Sequence, residues 1–169
     1  MTRFFYFLIP PCLFILDRWT KVLVASHLPL HQSQPVISGF VDLTYTRNTG
    51  IAFGLLSESH SAWTPTLLTL ASAVALLLIL YFSLHQPVRN WKLQVGLMMV
   101  LGGATGNLFD RISYGYVIDF IDVFYKNYHW PTFNVADSSI SVGIGLLLLE
   151  ALTQKSGVET QTPISLNSK

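Results

Sequence analysis

The stretch FNVADSSISVGIGLLLLE (residues 133–150) decides how this chain is to be read. Residues 140–149 are greasy helix, yet Asp137 stands at the mouth of that helix, one turn after Asn134. Asn134, Asp137, Ser138 and Ser141 fall at i, i+3, i+4 and i+7, a single helical stripe. A carboxylate where an apolar span begins is costly and needs a reason. A second phrase, YVIDFIDVFY (residues 116–125), poses the same question, with Asp119 set among apolar neighbours.

Composition says what surrounds these acids. Of 169 residues, 51% are hydrophobic and 11% charged, and mean hydropathy is +0.47. Soluble domains carry about 25% charged residues, so this chain lacks the polar surface to face water and reads as an integral membrane protein. A net charge of +1, with no clustered Lys/Arg run, excludes a nucleic-acid surface. The single cysteine, Cys12, cannot form an intramolecular disulfide and reads as a small buried apolar residue.

Four stretches approach the roughly 20 apolar residues of a membrane helix: residues 4–24, 63–84, 93–110 and 134–152. The first is interrupted by Pro10-Pro11 and by Asp17, Arg18 and Lys21, and these internal charges favour an uncleaved helix over a signal peptide. Between the first two, residues 35–48 alternate, Val41, Leu43 and Tyr45 against Asp42, Thr44 and Thr46. That is the period of a half-buried strand, and a surface β element is predicted over residues 35–53. One membrane domain of residues 1–153 and a polar, mobile tail of residues 154–169 complete the expected organisation.

Four spans put both termini on one side, with the short loop of residues 85–92. The ten Lys and Arg divide equally between the two sides. The 85–92 loop is purely basic, however, and all nine acids except Glu150 and Glu159 lie on the other side. Short basic loops stay inside, so cytoplasmic termini are expected.

The third span then leaves the membrane where the fourth re-enters, which brings their polar ends together. Gly103, Asn107 and Asp110 or Arg111 form one stripe, and GGATG (residues 102–106) permits close helix contact. Asp17 and Lys21, at i and i+4, offer an ion pair at similar depth. Most of these residues have structural readings: Asn134 as a helix cap, Gly102 and Gly106 as packing, Asp110 with Arg111 as a pair, Asp122 as a solvated face. The five histidines show no ligand spacing, so no metal site is expected. No phosphate-binding loop or activated nucleophile is apparent.

Asp119 and Asp137 remain. Two carboxylates held close share one proton, because they cannot both ionise cheaply. Such a pair suits peptide hydrolysis, one member activating water and the other protonating the carbonyl. A proton-coupled transporter using the same acids as a relay, and a non-catalytic scaffold, are the rival readings. A transporter favours acids near the midplane and internal repeats, and neither is visible in the sequence.

LDRWTK (16–21), NTGIAF (48–53), GNLFDR (106–111), YVIDF (116–120) and FNVADS (133–138) occur in that order. Together they resemble the lipoprotein signal peptidases, also called signal peptidase II, over nearly the whole chain except the tail. The resemblance implies a membrane α-helical fold of four transmembrane helices with a small extracytoplasmic β-sheet cradle and a loop over the site. It implies an aspartyl protease of the bacterial inner membrane that cuts prolipoproteins just before a diacylglyceryl-modified cysteine. Asp119 and Asp137 match the catalytic pair; Asn48, Asn107, Arg111 and Asn134 match substrate-binding positions; Asp17, Lys21, Gly50 and Asp110 match supporting ones. No cofactor is expected. The implied partners are lipidated prolipoprotein substrates and membrane lipids; the chain itself is expected to be a monomer.

Overall fold

The computed structural model describes residues 3–50 and 63–159. A one-turn helix α1 (Arg3–Tyr6) precedes α2 (Ile9–His27). Pro10 and Pro11 do not interrupt this helix but open it, in the first turn, where backbone N–H groups have no intrahelical acceptor to lose. Two strands follow, β1 (Ser33–Ile37) and β2 (Val41–Asn48), then α3 (Thr64–His85) and α4 (Trp91–Tyr114). Gly115, at φ 77°, stops α4 in the left-handed conformation, its N–H donating to Arg111 O at 3.0 Å. The chain turns there directly into β3 (Val117–Tyr125), then β4 (Tyr128–His129) and α5 (Val135–Glu159).

The strands form one antiparallel sheet in the order β1-β2-β3-β4. The predicted β element over 35–53 is thus two strands, and residues 51–53 lie outside the described residues. β3 was not anticipated: YVIDFIDVFY supplies the β-branched and aromatic residues that pair well across a sheet. Val24 and Tyr45 pack with Ile118 and Phe120 in a core that ties the sheet to α2. The last helix continues past residue 153, the expected end of the membrane domain, to Glu159.

α4 is the central helix, packed against α2, α3 and α5. Its glycines set the spacing. A Cβ on Gly103 would stand 2.3 Å from Ala136 O and Ser139 Oγ, and one on Gly96 would stand 3.0 Å from Gly143 O. Gly102 and Gly106 face α2 instead, against Pro10, Leu13 and Asp17. The small residues let the backbones approach, the usual device where apolar burial cannot drive helix association. On α5 the packed face is Ala136, Ser139 and Gly143. The stripe read from the sequence is corrected accordingly: Ser141 is exposed, and Ser138 returns its hydroxyl to Asn134 O.

Polarity runs inside out relative to a water-soluble protein. Asp17, Lys21, Gln94, Asp110 and Asn134 are fully buried, whereas Leu67, Leu77, Leu78 and Leu148 are each at least 60% exposed. Cys12, expected to be buried, is exposed too. Residues 66–85 of α3 and 135–153 of α5 are long and apolar enough to cross a membrane, with hydropathies of 2.4 and 1.7. So large an exposed apolar surface is stable against lipid and not against water.

Candidate active site

Asp137 lies in the first turn of α5, and a reciprocal cap fixes it. The Asp137 N–H donates to Asn134 Oδ1 at 2.9 Å, while the Asn134 N–H donates back to Asp137 Oδ2 at 3.2 Å. This is the exchange of a capping box, with Asn and Asp in the two roles. The helix-cap reading of Asn134 therefore holds, and the cap itself orients the acid. Asp119 does not stand at a helix end. It lies on β3, opposite Thr46 of β2, and the Thr46 hydroxyl donates to its carbonyl at 3.1 Å.

Among the described residues each carboxylate receives two N–H donors. Asn48 Nδ2 and Asn134 Nδ2 donate to the two oxygens of Asp119 at 2.9 and 2.7 Å. Asn107 Nδ2 donates to Asp137 Oδ1 at 2.8 Å, the second donor being the Asn134 N–H. Asn134 thus binds both acids, one through its side chain and one through its backbone. Burial pushes the Asp119 carboxyl up to about 7; the neighbouring Asp137 adds to the shift, and the Asn48 and Asn134 donors oppose it.

Beneath this pair lies a buried charge cluster. Lys21 Nζ is 2.8 Å from Asp17 Oδ2, 2.9 Å from Asp110 Oδ2 and 3.0 Å from Asn107 Oδ1. Asp17 and Lys21 form the pair that their spacing predicts. Asp110 does not pair with its neighbour Arg111: successive helical residues point about 100° apart, and it turns inward to Lys21 and Arg18. Asp122 is likewise no solvated face, since its half-buried carboxylate pairs with His129 Nδ1 at 2.9 Å.

A cavity of about 240 Å³ opens beside the carboxylates. Asn48, Asn107, Arg111, Asp119 and Asp137 line one part of it, and Ser72, Ala75 and Ile79 of α3 contribute another. Arg111 Nη2 reaches Gly50 O at 3.4 Å, and the Gly50 N–H donates to Asn48 Oδ1 at 2.9 Å. Catalytic, substrate-binding and supporting candidates from five separate stretches thus meet at one end of the bundle. Sequence reasoning missed Arg18 and the α3 wall. Arg18 sits inside LDRWTK beside Asp17, a signal that was present but unused. Ser72 lies among apolar neighbours over residues 70–82 and gave no sign of facing the acids.

Known proteins resemble this chain in sequence and in fold. The family model described as signal peptidase (SPase) II matches residues 9–153. The lipoprotein signal peptidase of Syntrophus aciditrophicus (strain SB) is 43% identical over 141 residues, 83% of this chain and 88% of that one. That of Francisella tularensis subsp. novicida (strain U112) is 37% identical over 150 residues, covering 89% and 92%. A bacterial membrane enzyme solved by the in meso method at 2.3 Å superposes with a TM-score of 0.81 at 31% identity, covering 95% of this chain and 94% of that one. A second, at 1.9 Å, gives 0.78 at 30% identity, covering 87% and 92%. Proton-coupled transport by the same acids has no support in these likenesses. The chain belongs to the signal peptidase II family, membrane proteases that remove the signal peptides of prolipoproteins.

Proposed function

We propose that this protease is of the aspartic type and that Asp119 and Asp137 are its dyad, cutting the bond just before the lipidated cysteine of its substrate. The observation that carries the reading is Asn134 bonding to both carboxylates beside the cavity. Held by one residue, the two acids share one proton between them. The ionised member takes a proton from an attacking water, and the protonated member gives its own to the scissile carbonyl oxygen. The tetrahedral diol then collapses: the first acid passes the proton it took from water to the nitrogen as the C–N bond breaks, and the second recovers its proton from a diol hydroxyl as the new carboxyl forms. Asn48, Asn107 and Asn134 orient the carboxylates through the N–H groups they donate. Among the described residues the Arg111 guanidinium donates one hydrogen bond, to Gly50 O, which leaves most of its donors for the peptide.

The setting follows from the same chemistry. We read α2, α3, α4 and α5 as four spans of the bacterial inner membrane, both termini cytoplasmic and the sheet on the outer face. At 1.5 Å per residue the 19 residues of α2 extend about 28 Å, close to the hydrocarbon thickness. The bond to be cut, anchored by acyl chains, then arrives at the level of Asp137. Substrate lipid and surrounding bilayer are the partners of this reading, and one chain holds every residue it needs.

Cleavage of a lipidated prolipoprotein peptide by the purified chain in detergent tests the dyad. Asp119→Asn and Asp137→Asn should each lower kcat at least about 10³-fold, within the range of lost acid–base catalysis, and Asp122→Asn should retain most activity. An inactive Asp122→Asn beside an active Asp119→Asn overturns the assignment.

A further inference from the structure

Ser72, Ala75 and Ile79 lie at i, i+3 and i+7 of α3, so one stripe of this helix faces the cavity. Of these three lining residues, Ala75 and Ile79 are apolar and Ser72 is polar. Hydroxyls in apolar helices ordinarily bond back to the preceding turn. Thr105 does so to Leu101 O at 2.7 Å, Ser138 to Asn134 O at 2.9 Å and Ser139 to Ala136 O at 2.8 Å. Ser83, the other serine of α3, donates to Gln94 Oε1 at 3.0 Å. The Ser72 hydroxyl has no hydrogen-bond partner among the described residues, although it lines the same cavity as Asp119 and Asp137.

A peptide entering this cavity carries N–H and C=O groups that point away from the carboxylates as well as toward them. Asn48, Asn107, Arg111 and the two acids all lie on β2, β3, α4 and α5. Peptide groups facing α3 would meet an apolar wall, and an unsatisfied one in a lipid-like setting costs several kcal/mol. A hydroxyl can both donate and accept, so it suits either peptide group. We propose that Ser72 is a substrate-binding residue whose hydroxyl hydrogen-bonds a peptide group of the substrate from the α3 side of the cavity. The assignment rests on the reading of this cavity as the place of cleavage.

The test is steady-state cleavage of a lipidated peptide by the full chain in detergent, with thermal unfolding measured on the same samples. Ser72→Ala should lower kcat/KM about 3- to 10-fold, the effect of one neutral hydrogen bond, through KM and with kcat nearly unchanged. Its Tm should match the wild type, because no internal bond is lost. Ser72→Thr, which keeps the hydroxyl, should stay near wild type, and its isostere Ser72→Val should behave as Ser72→Ala does. Wild-type kinetics for Ser72→Ala overturn the proposal. So does equal impairment of Ser72→Thr and Ser72→Val, or a loss that follows a lowered Tm. Asp119→Asn in the same assay separates the two levels: if it cleaves normally the dyad reading falls, whereas a KM effect at Ser72 still marks the cavity as the binding site.

Discussion

The backbone N–H of Ala136 donates to Asp17 Oδ1 at 3.0 Å, across 119 positions of sequence. Ala136 immediately precedes Asp137. The matching bond runs from the Ile118 N–H to Asp110 Oδ2 at 3.2 Å, and Ile118 immediately precedes Asp119. Each candidate catalytic acid is therefore preceded by a backbone group held on a buried carboxylate, and Lys21 binds both carboxylates. Removing one member of such a cluster leaves an uncompensated buried charge, at about 3–5 kcal/mol. Lys21→Met should lower stability by that order and reduce kcat, read by denaturant unfolding and cleavage assay. A variant with wild-type stability would remove Lys21 from the framework of the site.

The glycines of α4 predict a graded series. Gly103→Ala puts a Cβ 2.3 Å from two oxygens of the first turns of α5, and Gly106→Ala puts one 2.6 Å from Asp17 Oδ2. Backbone cannot give way cheaply, so Gly103→Ala should cost at least about 1–3 kcal/mol and displace Asp137. Gly145→Ala, with nothing within 4 Å, should leave Tm unchanged or slightly raised. Equal Tm values for all three would contradict the close approach of α4 and α5.

Proton sharing predicts the pH dependence. Asp119, ionising near 3.8 in an unstructured chain, keeps its proton to about 7 in the fold. The stability this supplies is complete below about pH 4 and is lost as pH rises through about 7. Asp119→Asn never ionises, so its Tm should gain on the wild type over that interval. Activity should be bell-shaped, with both limbs belonging to the pair and the alkaline limb near 7. Single-turnover cleavage from about pH 5 to 9 checks this, and a flat profile would sink the shared proton.

Reporter fusions test the membrane topology. Insertions after Leu152 and within residues 85–92 should report the cytoplasm, and one near Gln34 the opposite side. Disagreement between the first two breaks the four-span reading.

The apolar lengths of the chain already marked the long helices, because a helix satisfies its backbone within one segment and its signal is local. α3 and α5 begin within a residue or so of the sequence reading, and Gly115 and Pro10-Pro11 explain where α4 and α2 depart from it. Strand β3 was not legible, because a strand is stabilised by its neighbours and YVIDFIDVFY takes meaning only beside β2. Asp119 and Asp137 stood out because a carboxylate among apolar residues is costly wherever it falls.

Their surroundings needed the tertiary structure. Asp110 lies next to Arg111 in sequence and pairs with Lys21 and Arg18; Asp122 reads as solvated and holds His129. Helix geometry carries neighbouring side chains to different faces, so a charge finds its partner across the fold. Residue types and local periods were the sequence's to determine: an apolar chain, long helices, two misplaced acids. Which donors meet those acids, and that Ser72 shares their cavity, depended on how closely the glycines of α4 let the other elements approach.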